Sequence, residues 1–168
     1  MRPLARHQLY RETACYMDIK VGELRHEAVI SLLQEHHEDM LSHSPPDSVH
    51  ALDVSSLEHP DVTFWSLWVN QDLAGIGAIK ELDKDHCEIK SMRTSAGFLR
   101  QGIGHKILEH IVEQATIRSY KRLSLETGTM DAFIPAQKLY QQFGFRVCEP
   151  FGNYQEDPYS MFMSKAIA

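Results

Sequence analysis

Gly102 and Gly104 stand two apart in FLRQGIGHKILEHI, Phe98 to Ile111, where apolar spacing predicts the start of an amphipathic helix. A helix that opens on uncovered backbone N–H groups is an anion site, because its first amides and its dipole face the same ligand. The spacing excludes two common phosphate loops. A dinucleotide fingerprint needs a third glycine three residues after Gly104, and that position holds Ile107; a Walker loop needs Gly-Lys-Ser/Thr, which is absent. The remaining structural reading is a strand-to-helix turn that uses glycine only for backbone freedom.

Three other groups could do chemistry. In HCEIKSMRT, strand alternation puts Glu88, Lys90 and Met92 on one face and Cys87, Ile89 and Ser91 on the other. A carboxylate there suits a general base, with a salt bridge to Lys90 as its structural alternative. The same alternation turns Cys87 away from Glu88, so Cys87 and the distant Cys148 read as inert thiols rather than nucleophiles. In EHHED, His36 and His37 are adjacent, about 100° apart on a helix, and do not form the i, i+4 metal pair. No metal is expected.

These groups need elements to position them. YMDIKV alternates as a first strand, and apolar spacing from Glu23 to about Leu41 predicts a long helix that Pro45 and Pro46 stop. Asp53 caps a short helix over Val54 to Glu58. VTFWSLWV, LAGIGAIKEL and HCEIKSMRT read as three strands joined by tight turns. The helix after Gly102 follows, then the strand RLSLET. PAQKLYQQF is a helix with Pro135 in its first turn and Gly144 at its stop, and FRVCEP and SMFMSKAI close the chain as strands. The order is β-αα-βββ-α-β-α-ββ, a mixed sheet covered by helices.

The chain has 168 residues, a single-domain length, with 43% hydrophobic and 24% charged residues. A net charge of −6 argues against a nucleic-acid partner, and no apolar run approaches a membrane span. Three widely spaced cysteines suit a reducing, cytoplasmic setting. Residues 1–15 are expected to be a disordered or cloning-derived extension, or a lead-in to the first strand, before a single domain over 16–168.

The strand EIKSMRT, the glycine turn and its helix, followed about 35 residues later by PAQKLYQQFGF, together resemble the GNAT family of acetyl-CoA-dependent N-acetyltransferases. The turn is similar to the family's Arg/Gln-x-x-Gly-x-Gly/Ala signature, and the later segment to its A-x-x-L-Y-x-x-x-G-F ending. SPPDSVHAL, EIKSMRT, LSLETG and DPYSMFM look like a bacterial branch of small acetyltransferases. One position departs: Leu99 stands where Arg or Gln is usual, with Arg100 next to it. That departure shifts the phosphate contact from a side chain to the backbone.

The resemblance implies an α/β (α+β) fold with a mixed, mostly antiparallel six- to seven-stranded sheet, splayed strands 4 and 5, and about four helices. It implies acetyl-CoA as co-substrate, held by Met92, Arg93, Thr94, Arg100, Gln101, Gly102, Ile103, Gly104, His105 and Tyr140. The Met92 N–H would polarise the thioester carbonyl, and Tyr140 would protonate the leaving thiolate, a phenol near pKa ~10 against a thiol near ~8.5. Glu88 lines up with the base of histone-acetylating relatives, with Glu126 as the other candidate. Substrate contacts fall on His37, His50, Glu126, Tyr154 and Asp157. The implied function is direct acetyl transfer to a primary amine, on a small molecule rather than a protein, by a monomer or homodimer. The alternatives are a non-catalytic acetyl-CoA-binding module, or an acyltransferase with another acyl-CoA or a non-amine acceptor.

Overall fold

The computed structural model describes residues 15–167, so the extension expected over residues 1–15 lies, except for Cys15, outside the described residues. Eleven elements follow in order: β1 (Met17–Val21), α1 (Glu27–His43), α2 (Val54–Leu57), β2 (Val62–Val69), β3 (Asp72–Asp83), β4 (His86–Thr94), α3 (Ile103–Ile117), β5 (Arg122–Gly128), α4 (Ile134–Gln142), β6 (Arg146–Val147) and β7 (Ser160–Ala166). They form one seven-stranded sheet in the order β1-β2-β3-β4-β5-β7-β6. Every neighbouring pair is antiparallel except β4–β5. This is the mixed GNAT-like architecture that the motifs imply.

The central strands are apolar on both faces because helices cover both. On one face Phe64, Trp68, Ile76 and Ala78 pack with Val29, Leu32 and Leu33 of α1. On the other, Trp65, Leu67, Ile79, Cys87, Ile89, Leu123 and Leu125 pack with Ile103, Ile107 and Ile111 of α3. Two glycines set the height of α3 above the sheet. A Cβ at Gly75 would sit 2.5 Å from Ile107, and one at Gly77 2.8 Å from it, so glycine in β3 admits this close approach.

The expected boundaries moved in two places. α1 begins at Glu27 rather than Glu23, because Gly22 and Glu23 are both left-handed (φ 85° and 69°) and turn the chain before His26 caps the helix. The strand expected over FRVCEP shrinks to Arg146–Val147 at the sheet edge. Asp53 caps α2 as expected, accepting from the Ser56 N–H at 2.7 Å.

The decisive irregularity is in β4. It pairs with β5 only from His86↔Arg122 to Ile89↔Leu125, then continues to Thr94 paired with β3 alone, its β5 side open. At that point two residues, Ser91 and Met92, oppose the single Gly77 of β3, and Ser91 has φ 51°. That is a β-bulge, and it re-aims every side chain after it. Glu88 and Met92 therefore do not share a face, contrary to simple alternation. Met92 packs into the α3-side cluster that also holds Cys87 and Ile89.

Candidate functional site

The glycine turn stands at the start of α3. Gly102 caps α3 in the left-handed region (φ 80°) with no side-chain cap, and Arg100 before it is also left-handed (φ 58°). Lys106 is the first residue whose N–H bonds back, to the Gly102 carbonyl at 3.0 Å. The amides of Ile103, Gly104 and His105 are thus left at the positive end of the helix. A Cβ at Gly104 would lie 3.3 Å from Leu139 Cδ2, 3.6 Å from Thr94 Oγ1 and 4.0 Å from Met92 Cε. The helix start, α4 and the free end of β4 therefore meet at one point.

The side chains of this loop do little. Leu99 is exposed, Gln101 Nε2 donates to the Gly97 carbonyl at 3.0 Å, and the His105 ring packs on Phe143 with centroids 4.7 Å apart. Arg93 turns to α1, where Nη1 donates to Asp39 at 2.9 Å. What remains for a phosphate is the backbone and the exposed Arg100, and aligned amides suit a polyanion even in an acidic protein because they act over one turn.

A cavity of about 100 Å³ fills the splay between β4 and β5, lined by His36, Lys90, Met92, Glu126, Phe133 and Tyr140 among others. Alternation in β5 sends Leu123 and Leu125 to the α3 side, so Glu126 faces the α1 side. Tyr140, on α4, belongs to the α3-side cluster, and its Oη lies 4.0 Å from Met92 Sδ. A carboxylate and a phenol thus approach one gap from opposite faces of the sheet.

Their environments push both toward the protonated form. Burial raises the Glu126 carboxyl to about 7, with Glu88 and Asp157 adding to it and the Ser160 hydroxyl and Lys90 opposing. Burial and then Glu126 raise the Tyr140 phenol to about 12, well above the ~10 of a free phenol. Desolvation also raises the Cys87 thiol to about 12, leaving it no thiolate for a covalent route.

Glu88 sits in a different setting. It is 4% exposed, with Lys90 Nζ at 3.3 Å and Tyr154 Oη donating to it at 2.5 Å. Lys90 also donates to the His50 carbonyl at 3.0 Å and to Tyr154 Oη at 2.9 Å. Beyond this network lies a second cavity of about 500 Å³, walled by His50, Lys80, Leu82, Phe151, Tyr154 and Asp157 with their neighbours. Three of the five expected substrate contacts therefore line it, and a fourth, Glu126, lines the splay. The fifth, His37, is exposed, and His36 takes its place at the splay, where burial and then Arg93 lower its ring to about 4. The one-residue difference follows from α1's rotation: His36 follows the buried Val29, Leu32 and Leu33 at i+7, i+4 and i+3, whereas His37 follows them at i+8, i+5 and i+4 and turns off that face.

Residues 26–145 match the model of the acetyltransferase (GNAT) family. The chain is 54% identical to an uncharacterised N-acetyltransferase of Bacillus subtilis, YsnE, over 90% of this chain and all of that one. It is 51% identical to a second, YedL of Escherichia coli, over 89% of this chain and 94% of that one. Among solved structures it resembles an acyl-CoA N-acyltransferase of Klebsiella pneumoniae, with a TM-score of 0.77 and 25% identity, covering 90% of this chain and 98% of that one.

Proposed function

The chain belongs to the acetyltransferase (GNAT) family, as an N-acetyltransferase, and from that premise we propose that it moves the acetyl group of acetyl-CoA directly onto the primary amine of a small-molecule acceptor. The observation that carries this reading is the splay itself, with Glu126 on one face of the sheet and Tyr140 on the other. A base on the acceptor side and an acid on the coenzyme side are what direct transfer requires.

The residues present fit the coenzyme. The amides from Arg100 to His105 hold the pyrophosphate, Gly104 keeps the approach free of a side chain, and the edge of β4 that β5 leaves open, Met92 to Thr94, faces the pantetheine arm. The acceptor's body lies in the outer cavity with His50, Tyr154 and Asp157, and its amine reaches Glu126.

Glu126 takes one proton from the acceptor ammonium. The freed nitrogen lone pair attacks the thioester carbon, and the carbonyl electrons move onto oxygen, where the Met92 N–H donates to it. One such donor contributes about 3–4 kcal/mol. Collapse breaks the C–S bond, the thiolate takes a proton from Tyr140, and the nitrogen's remaining excess proton restores that phenol. The products are the acetamide, free coenzyme A and one proton left on Glu126 for solvent. Glu126 rather than Glu88 is the base in this reading, because a carboxyl near 7 matches working pH and Glu88 is already engaged.

An acetyl-CoA-dependent thiol-release screen over mixed amines tests the proposal. Release that depends on one amine class supports it. Tight acetyl-CoA binding with no release across the panel supports the binding-module alternative instead, and competition with propionyl- and succinyl-CoA tests the acyl group.

A further inference from the structure

Lys90 is a lysine with nowhere to go. It is 9% exposed, and its ammonium spends all three donors on protein acceptors: Glu88, the Tyr154 hydroxyl and the His50 carbonyl. Those partners come from three separate places. Glu88 is on β4 itself, His50 is on the α1–α2 connection, and Tyr154 is on the β6–β7 connection. The Tyr154 hydroxyl closes the ring by donating to Glu88, and its own ring packs edge-on against His50 and Phe151 at 5.0 and 5.2 Å. Lys90 and His50 also line both cavities, so the network is the partition between the acceptor's body and the reacting centre.

A buried ion pair is a poor way to gain stability, since desolvation consumes most of the attraction. Its retention between two cavities therefore calls for another role. Glu88 and Lys90 lie on the same face as Glu126, where β4 and β5 separate, and they bear on it with opposite sign. Tyr154 cannot share the anionic role, because burial and Glu88 both drive its phenol upward and keep it a donor. The other groups around Glu126 are Asp157 and Ser160 near the C-terminal side, and His36, His50 and Tyr140 around the splay. His36 and His50 are held neutral, chiefly by burial, so the Glu88–Lys90 pair and Asp157 are the charges against it.

We propose that Glu88, Lys90 and Tyr154 form a positioning unit for the base. Lys90 and Glu88 set opposed charges against Glu126, and Tyr154 with the His50 carbonyl locks both acceptor loops to that pair. The inference rests on the reading of Glu126 as base. It assigns Glu88, the expected base, to tuning and holding.

The test reads the carboxyl directly and needs no acceptor. The full chain is labelled with 13C at glutamate carboxyls, and the Glu126 signal is identified as the one lost in Glu126→Gln. Its titration midpoint is expected to rise by on the order of half a pH unit in Lys90→Met and to fall comparably in Glu88→Gln. The double variant Glu88→Gln/Lys90→Met, which leaves no buried lone charge and so protects the fold, is expected between the two. Amide exchange should quicken in both 46–53 and 151–159 in Lys90→Met, but only in 151–159 in Tyr154→Phe. A purely structural pair would move both single-variant midpoints the same way or not at all, and that result overturns the proposal. If the pair shifts Glu126 as stated but Glu126→Gln retains wild-type thiol release, the base reading fails and the electrostatic unit stands.

Discussion

Glu126 should carry the acid limb of the pH profile. A base works only when unprotonated, and a carboxyl raised to about 7 gains that form as pH climbs through neutrality. kcat/KM is therefore expected to rise through about pH 7, and Glu126→Gln to lose about 100-fold or more along with that limb. The stability effect runs the other way. The folded-state value lies above the ordinary 4.5, so folding favours the protonated form, and this advantage is lost as pH rises from 4.5 through 7. Glu126→Gln should melt with wild type at pH 4 and above it at pH 8, by on the order of 1–2 kcal/mol in the chemical-denaturation midpoint. Tyr140 predicts the opposite kind of insensitivity. A phenol at about 12 stays protonated across the usable range, so Tyr140→Phe should lower kcat about 10- to 100-fold equally from pH 6 to 10. A loss that grows with pH would mean that a phenol of ordinary acidity does the work.

At the scale of elements, the proposed coenzyme site joins the N-terminus of α3 to the end of β4 that β5 leaves open. Gly102 has open space around a would-be Cβ but φ 80°, so Gly102→Val suffers through the backbone. Gly104 has ordinary backbone but close neighbours in Leu139 and Thr94, so Gly104→Leu suffers through sterics. Both should weaken acetyl-CoA binding about tenfold or more by calorimetry, for different reasons. Only Gly102→Val should also lower the melting temperature as strain would, by a few degrees for about 1 kcal/mol. The Leu99 departure costs nothing in this arrangement: Leu99→Arg should change binding by less than about threefold, since the amides already supply the donors.

On the proposed reading, the whole molecule separates its two substrates by the thickness of a sheet. The Gly102–Gly104 turn is on the α3–α4 side, and the 500 Å³ cavity is on the side where Glu88, Lys90 and Lys80 project. Perturbations of one side should leave the other's affinity intact. Lys80→Glu, at the wall of the outer cavity, should change the acceptor KM severalfold with acetyl-CoA affinity unchanged, and Gly104→Leu should do the reverse. The two effects should add within about 0.5 kcal/mol, as distant sites do. Strong non-additivity would show that the partition at Lys90 transmits strain between them. Much of this plan was legible in the sequence. Periodicity placed the strands and helices, and the motif glycines and the LYQQFGF segment pointed to the family, because both signals are local. Helix starts and strand alternation misled where a left-handed residue intervened, at Glu23 and at Ser91, since nothing in residue type marks a non-glycine φ above zero. By itself, then, the sequence determined the order of elements, a helix start opened by glycine and the family. Only the tertiary structure decided that Glu126 lines the splay while Glu88 is bound to Lys90, and that His36 rather than His37 reaches it. Burial and long-range neighbours make those choices, and they exist only once β4, β5 and the two acceptor loops have come together.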